Sequence, residues 1–397
     1  MITISLPSAE GALENYRLHE PTTFDKHVGQ RQSTSFPRVA YAAAHVVADP
    51  RKEVDPWLQT AVDWDATIEY RRYLWSLGLG VAEAMDTAQR GMGLDWPTSL
   101  ELIQRSIDAA KDFSATHRID TLLANGAGTD HLKTSPGVTL EDVTAAYELQ
   151  CEAIERAGGT IVLMASRSLV RAAKTAEDYV RVYDRILTQV EQPVIIHWLG
   201  GMFDPELAGY WGSDDDWEAM KICLAIIHHN EKKIDGIKIS LLDEEKEISM
   251  RNRLPVGVRM YTGDDFNFPD LIAGDEQRHS DALLGIFDPI APAASAALEA
   301  MSRKDHKTYF ELLNPTVPLS RYMFKAPTRF YKTGVVFLAY LNGHQKHFLM
   351  VGGQESARST VHLANLFRLS DKAGLLRDPE LAAKRMATLM EVHGIHS

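Results

Sequence analysis

From about residue 38 the chain switches repeatedly between two hydrophobic patterns. Short, nearly continuous apolar runs, of the kind that become buried strands, are followed by longer stretches. In those stretches apolar residues return every three or four positions, the period of a helix with one buried face. The strand-like runs cover residues 38–47, 79–86, 119–125, 160–165, 193–198, 234–240, 256–262 and 282–287. Helical periodicity fills residues 66–76, 99–111, 140–156, 176–190 and 216–229 between them. Capping residues support these limits. Thr139 stands before Glu141 and Asp142, Asp214, Asp215 and Asp216 open the helix carrying Trp217, and Gly158 and Gly159 fall where a helix stops before the fourth strand. Eight alternating β and α units in roughly 260 residues match a (β/α)₈ barrel, an α/β fold, in count and length. Periodicity alone also admits a doubly wound open sheet. Residues 1–36 are polar and irregular and are expected to form an N-terminal extension to a barrel spanning 37–303. After Ala300 no strand pattern returns, so residues 304–397 are expected to form a C-terminal helical appendage, with helices near 307–313, 329–341, 356–373 and 379–393.

Composition narrows the function. With 45% hydrophobic and 24% charged residues, the 397-residue chain has the balance of an ordinary soluble globular protein. A formal net charge of -12 argues against non-specific binding to nucleic acid or to an anionic membrane. Cys151 and Cys223, the two cysteines, both fall in helical stretches without metal-ligand spacing. A reducing, cytoplasmic location is the expectation. The first residues lack the basic-then-apolar pattern of a signal peptide, and no apolar stretch is long enough to span a bilayer. Gly126-Ala127-Gly128 lacks the rest of a dinucleotide fingerprint. His228-His229 and the His344/His347 pair lack companions that specify a metal.

One residue breaks the pattern. Lys238 lies inside the apolar run Ile234-Asp235-Gly236-Ile237-Lys238-Ile239-Ser240. Burial penalises a charged ammonium, so such a lysine tends toward its neutral amine, a nucleophile whose usual chemistry is Schiff-base formation with a carbonyl. A structural lysine paired with Asp264 or Asp288 is the plainer alternative.

Four stretches resemble the dihydrodipicolinate synthase and N-acetylneuraminate lyase superfamily, the pyruvate-type class I aldolases. GIKIS around Lys238 resembles the strand-six segment with that family's Schiff-base lysine. MYTGDD, ending at Asp265, resembles its strand-seven turn, and PVIIHWLGG occupies its strand-five place. The segment from IFDPIAPAAS to FLAYLNG follows its path from strand eight into the C-terminal helices. The resemblance covers roughly residues 38–395 and marks a divergent branch, because the family's strand-five tyrosine falls on His197 and its second strand motif keeps only Thr87. The tyrosine pair after strand four is replaced by Arg167 and Ser168, and the place of the arginine that holds the distal carboxylate falls near Met202, where its absence speaks for a substrate other than the synthase's.

The resemblance implies a class I aldolase or lyase acting on a 2-oxo acid or sugar-derived carbonyl compound, with Lys238 as the imine-forming residue. No metal or organic cofactor is implied, and the protein is expected to be a homo-oligomer, dimer or tetramer. His197 is then the expected proton shuttle, since imidazole titrates near neutral pH, with Thr87 relaying or orienting. Arg90 and Arg167 are the expected ligands of a substrate carboxylate, and Asn125 and Asp288 the expected partners of substrate hydroxyls. Two other readings stay open: a metal-dependent lyase or isomerase using His45 and His197, and a catalytically silent barrel that binds a small ligand.

Overall fold

The computed structural model describes residues 2–20, 24, 36–117, 122–133 and 137–395. Its centre is a closed barrel of eight parallel strands: β3 (Ala40–Ala43), β4 (Gly80–Glu83), β5 (Leu123–Ala127), β6 (Thr160–Leu163), β7 (Val194–Leu199), β8 (Ile234–Ser240), β9 (Arg259–Thr262) and β10 (Asp281–Leu284), with β10 pairing back to β3. The eight apolar runs are these eight strands, and closure settles the choice between barrel and open sheet. The expected beginning of the third strand, at residues 119–121, lies outside the described residues.

The helices are α1 (Trp64–Ser76), α2 (Trp96–His117), α3 (Leu140–Ala157), α4 (Arg167–Ala172), α5 (Ala176–Gln189), α6 (Asp216–His229), α7 (Glu244–Arg251), α8 (Phe268–Ala273) and α9 (Ala291–Ser302) around the barrel. Beyond them come α10 (His306–Leu313), α11 (Val317–Met323), α12 (Tyr331–Leu341), α13 (Thr360–Lys372) and α14 (Pro379–Val392). Local chemistry sets several ends. Thr139 and Asp142 cap each other's backbone at the start of α3, and Gly158 closes it in the left-handed conformation that glycine adopts without strain. Asp215 accepts the first amides of α6.

Two separate apolar layers follow from the period-two alternation of strand side chains. Tyr41, Ala82, Ala124, Val162, Ile195, Tyr261 and Leu283 fill the barrel interior. Their alternate neighbours pack against the helices. The outer layer also holds a fully buried ion pair, Arg71 on α1 with Glu83 on β4, in which Nη2 and Oε1 are 2.8 Å apart. Ser106 on α2 donates to the same carboxylate at 2.6 Å.

The N-terminal extension is not irregular where it is described. β1 (Thr3–Pro7) and β2 (Leu13–Arg17) form an antiparallel ribbon that docks on α13. There Tyr16 Oη donates to Asp371 at 2.7 Å, and Arg368 donates to the carbonyls of Leu6 and Pro7. Alternation in Ile4 and Leu6, both buried, is the pattern that a reading of composition alone passed over. Residues 21–23 and 25–35 of the expected extension lie outside the described residues.

Candidate active site

Lys238 sits in mid-strand on β8, in register with Tyr261 of the interior cluster, so its side chain points into the barrel. The room it needs comes from Gly263. A Cβ there would lie 2.9 Å from Lys238 Cε and 2.5 Å from the carbonyl oxygen of Ile239. Among the described residues no carboxylate forms an ion pair with the ammonium, so the paired-lysine alternative lacks its partner. Burial lowers the Lys238 pKa, opposed by the charges of Asp86 and Asp265. Asp265, whose Oδ1 accepts the amide of Ile286 at 2.9 Å, is itself raised by burial. Asp264 turns the chain toward α8 instead, accepting the amides of Phe266 and Asn267 at 2.8 and 3.0 Å.

His197 stands beside Lys238 in register on β7. Its Nε2 is 3.3 Å from Ser240 Oγ, and its Nδ1 has no hydrogen-bond partner among the described residues. Burial, and after it the Lys238 charge, holds the imidazole well below its ordinary range. A histidine in that state is neutral at physiological pH and is not an imidazolium acid.

Thr87 meets a residue that sequence reasoning did not single out. Its Oγ1 lies 2.8 Å from Tyr331 Oη, at the start of α12. Both are buried, and the glycine at 285, just past β10, keeps the spot open. A Cβ there would come within 3.1 Å of the Tyr331 and Phe324 rings. Burial raises the Tyr331 phenol, helped by the charges of Asp86 and Asp265, the same two carboxylates that face Lys238.

Above this group, at the C-terminal ends of β4 to β7, lies a cavity of about 190 Å³ lined by Asp86, His197, Ser166, Phe203, Arg329 and Lys332, among others. This is the face on which (β/α)₈ enzymes place their chemistry. Arg167 reaches its rim, with Nε 2.6 Å from Asp204 and Nη1 3.5 Å from Glu206. Arg90 also borders it but has no donor to spare. Its five N–H groups go to Asp130 (twice), Ala84 O, Gly126 O and Gln150.

The remaining expected ligands lie elsewhere. Asn125 alternates with inward Ala124 and so points outward, where its amide donates to Thr160 O at 3.0 Å. Asp288 accepts both the backbone amide and Nδ1 of His45 at 2.8 Å, and Tyr70 Oη at 2.9 Å. It lines a second cavity of about 250 Å³, with Tyr73 and His344. The His45 and His197 pairing needed by a metal-dependent reading is not made, and no group of three or more His, Cys, Asp or Glu among the described residues is placed to hold a metal ion.

A closed (β/α)₈ barrel with helices beyond its eighth strand is the class of fold to which the dihydrodipicolinate synthases also belong. The chain itself matches, over residues 4–395, the family described as "Protein of unknown function (DUF993)", and it belongs to that family. Its structure is similar to dihydrodipicolinate synthase from Aquifex aeolicus (TM-score 0.62, 12% identity, 85% of this chain and 99% of that one). It is also similar to the enzyme from Cyanidioschyzon merolae with lysine bound (0.61, 14%, 85% and 98%). A third similar structure is the enzyme from Oceanobacillus iheyensis (0.56, 13%, 89% and 97%). At such identity the likeness is one of fold, consistent with a divergent branch. Among curated proteins nothing matches the chain. No helix among the described residues is long and apolar enough to cross a membrane.

Proposed function

We propose that the protein is a class I aldolase or lyase in which Lys238 forms an imine with the carbonyl of a 2-oxo acid or a sugar-derived carbonyl compound. The supporting observation is the lysine itself, inward on a barrel strand with no ion-paired carboxylate among the described residues and with its amine favoured by burial. The neutral amine adds to the carbonyl carbon, and loss of water gives the iminium. That iminium accepts the electron pair released when the bond between the third and fourth carbons breaks, as the hydroxyl on the fourth carbon gives up its proton and becomes the carbonyl of the departing aldehyde. In the reverse sense, the enamine made by removing a proton from the third carbon attacks an aldehyde.

Expulsion of water needs a proton at the departing hydroxyl, and the Tyr331–Thr87 pair supplies it in this reading. His197 is recast from expected proton shuttle to neutral hydrogen-bonding neighbour. Arg90, Asn125 and Asp288 drop out as substrate ligands, and Arg167 stays at the rim. A covalent lysine imine without a metal or organic cofactor, assembly into dimers or tetramers, and residence in the cytoplasm belong to the same proposal.

The test is reductive trapping. The protein is incubated with pyruvate and a panel of 2-oxo acids in the presence of borohydride, and its peptides are weighed. A mass increment on Lys238 is expected. A folded protein that gains none across the panel overturns the reading.

A further inference from the structure

Lys332 repeats, in the lining of the cavity, the oddity of Lys238, whose neighbour in register, His197, lines the same cavity. It lies on α12, whose residues from Tyr331 to Leu341 are all buried, and it is itself buried while lining the cavity. Its ammonium donates to the carbonyl of Arg329 at 3.1 Å and meets Met92 Sδ at 3.4 Å. Among the described residues it forms no ion pair with a carboxylate.

A buried ammonium held by one carbonyl, one thioether and the face of the Tyr331 ring, 5.0 Å away, is short of the counter-charge that such groups require. Burial lowers its pKa to about 8, despite the opposing charges of Asp86 and Asp204. At neutral pH it is therefore still mostly charged. Arg329, the other cation at this end of the cavity, adds to the same local field, while Arg167 is already paired with Asp204.

We propose that Lys332, with Arg329, binds a second carboxylate of the substrate, so that the compound condensing with Lys238 is a dicarboxylic 2-oxo acid. This rests on the imine reading for its carbonyl end only. A carboxylate suits the site better than a phosphate. Asp86 and Asp204 also line the cavity, and a doubly charged group would face both of them. The proposal also accounts for the position near Met202, where the resemblance led one to look for a distal-carboxylate arginine. Met202 is exposed, and the cation comes from the C-terminal helices instead.

Two measurements on the full chain test this. In the first, trapping at Lys238 is titrated with 2-oxoglutarate and with 2-oxobutyrate. The wild type is expected to be half-trapped at about 30-fold lower concentration of the dicarboxylate. That preference should collapse toward one in Lys332→Met and be at least partly kept in Lys332→Arg. In the second, glutarate, which has no carbonyl, is titrated calorimetrically against butyrate. Glutarate should bind the wild type and Lys332→Arg but not Lys332→Met, with near-ultraviolet circular dichroism reporting that each variant is folded.

Glutarate binding that depends on Lys332, in a protein that traps nothing, would sink the imine and leave the anion site standing. Equal trapping of both 2-oxo acids by the wild type, or undiminished glutarate binding by folded Lys332→Met, overturns the proposal. If Lys332→Met does not fold, Lys332→Gln takes its place under the same criteria.

Discussion

Lys238 is poorly placed for stability. A strand interior prefers an apolar side chain, and an ammonium there loses hydration without gaining an ion pair among the described residues. Replacing Lys238 with Met is expected to abolish borohydride trapping while raising unfolding stability by about 1–2 kcal/mol in urea titrations. A drop in stability would mean that the lysine is structural. Tyr331→Phe removes one hydroxyl from the pair with Thr87. It should lower kcat by about 10²-fold while leaving the reduced adduct on Lys238 obtainable at long incubation. Unchanged turnover would move the proton transfer elsewhere. At this scale the sequence was half legible. Lys238 stood out because a charge interrupted an apolar run. Lys332 interrupts the apolar helix Tyr331–Leu341 in the same way and carried the same signal, but it lay outside the strand ends where chemistry was sought. Arg90, which borders the cavity with its donors taken, and Asn125, which points outward, show that residue type and strand-end position say nothing about which donors are engaged or which face a side chain leaves from.

At the scale of elements, the strands and helices followed from period and caps. Strand α-carbon limits shifted by a few residues, since apolar runs extend past the last ladder hydrogen bond. What periodicity does not give is how the outer layer satisfies its polar groups. Glu247 on α7 is an example. It is buried between β9 and β10, where Thr262 and Ser280 donate to its carboxylate at 2.9 and 2.7 Å. Burial still pushes its pKa from 4.5 up to about 8. The folded protein thus keeps this proton to about pH 8, whereas the unfolded chain gives it up near 4.5. Between these values the unfolded state binds fewer protons, so stability is full below about pH 4.5 and falls as pH rises. Relative to wild type, Glu247→Gln should flatten the decline in melting temperature between pH 5 and 8. The upper bound on the effect is about 4 kcal/mol at pH 8. Parallel slopes for the two proteins would show the carboxyl to be ionised in the fold.

Across the whole molecule, the two ends of the chain are joined at α13. Asp371 accepts Tyr16 Oη, the backbone amide of His19 and His19 Nδ1. Asp371→Ala leaves those donors without their shared acceptor and is expected to cost about 2 kcal/mol of stability. Trapping at Lys238 well below the transition temperature should be unaffected, because the ribbon does not approach the cavity. Loss of trapping in a folded variant would mean that the ribbon braces the cavity lining. Eight units were legible as a count, and closure was settled only by β10 pairing back to β3. The docking of residues 3–17 was not legible, because the alternation of Ile4 and Leu6 marks a buried face without saying which distant element covers it.

The place of α12 in the cavity lining has a consequence in time. A ribosome makes the barrel in strand order, and β8, with its lysine, emerges well before α12. At about 5–20 residues per second, several seconds separate the reactive amine from Tyr331 and Lys332. If the proposed roles hold, the nascent chain during that interval carries a nucleophile with neither its proton donor nor its anion clamp. On the imine reading, free 2-oxo acids in the surrounding fluid then meet an amine that cannot hold them in place, and competence waits for α12.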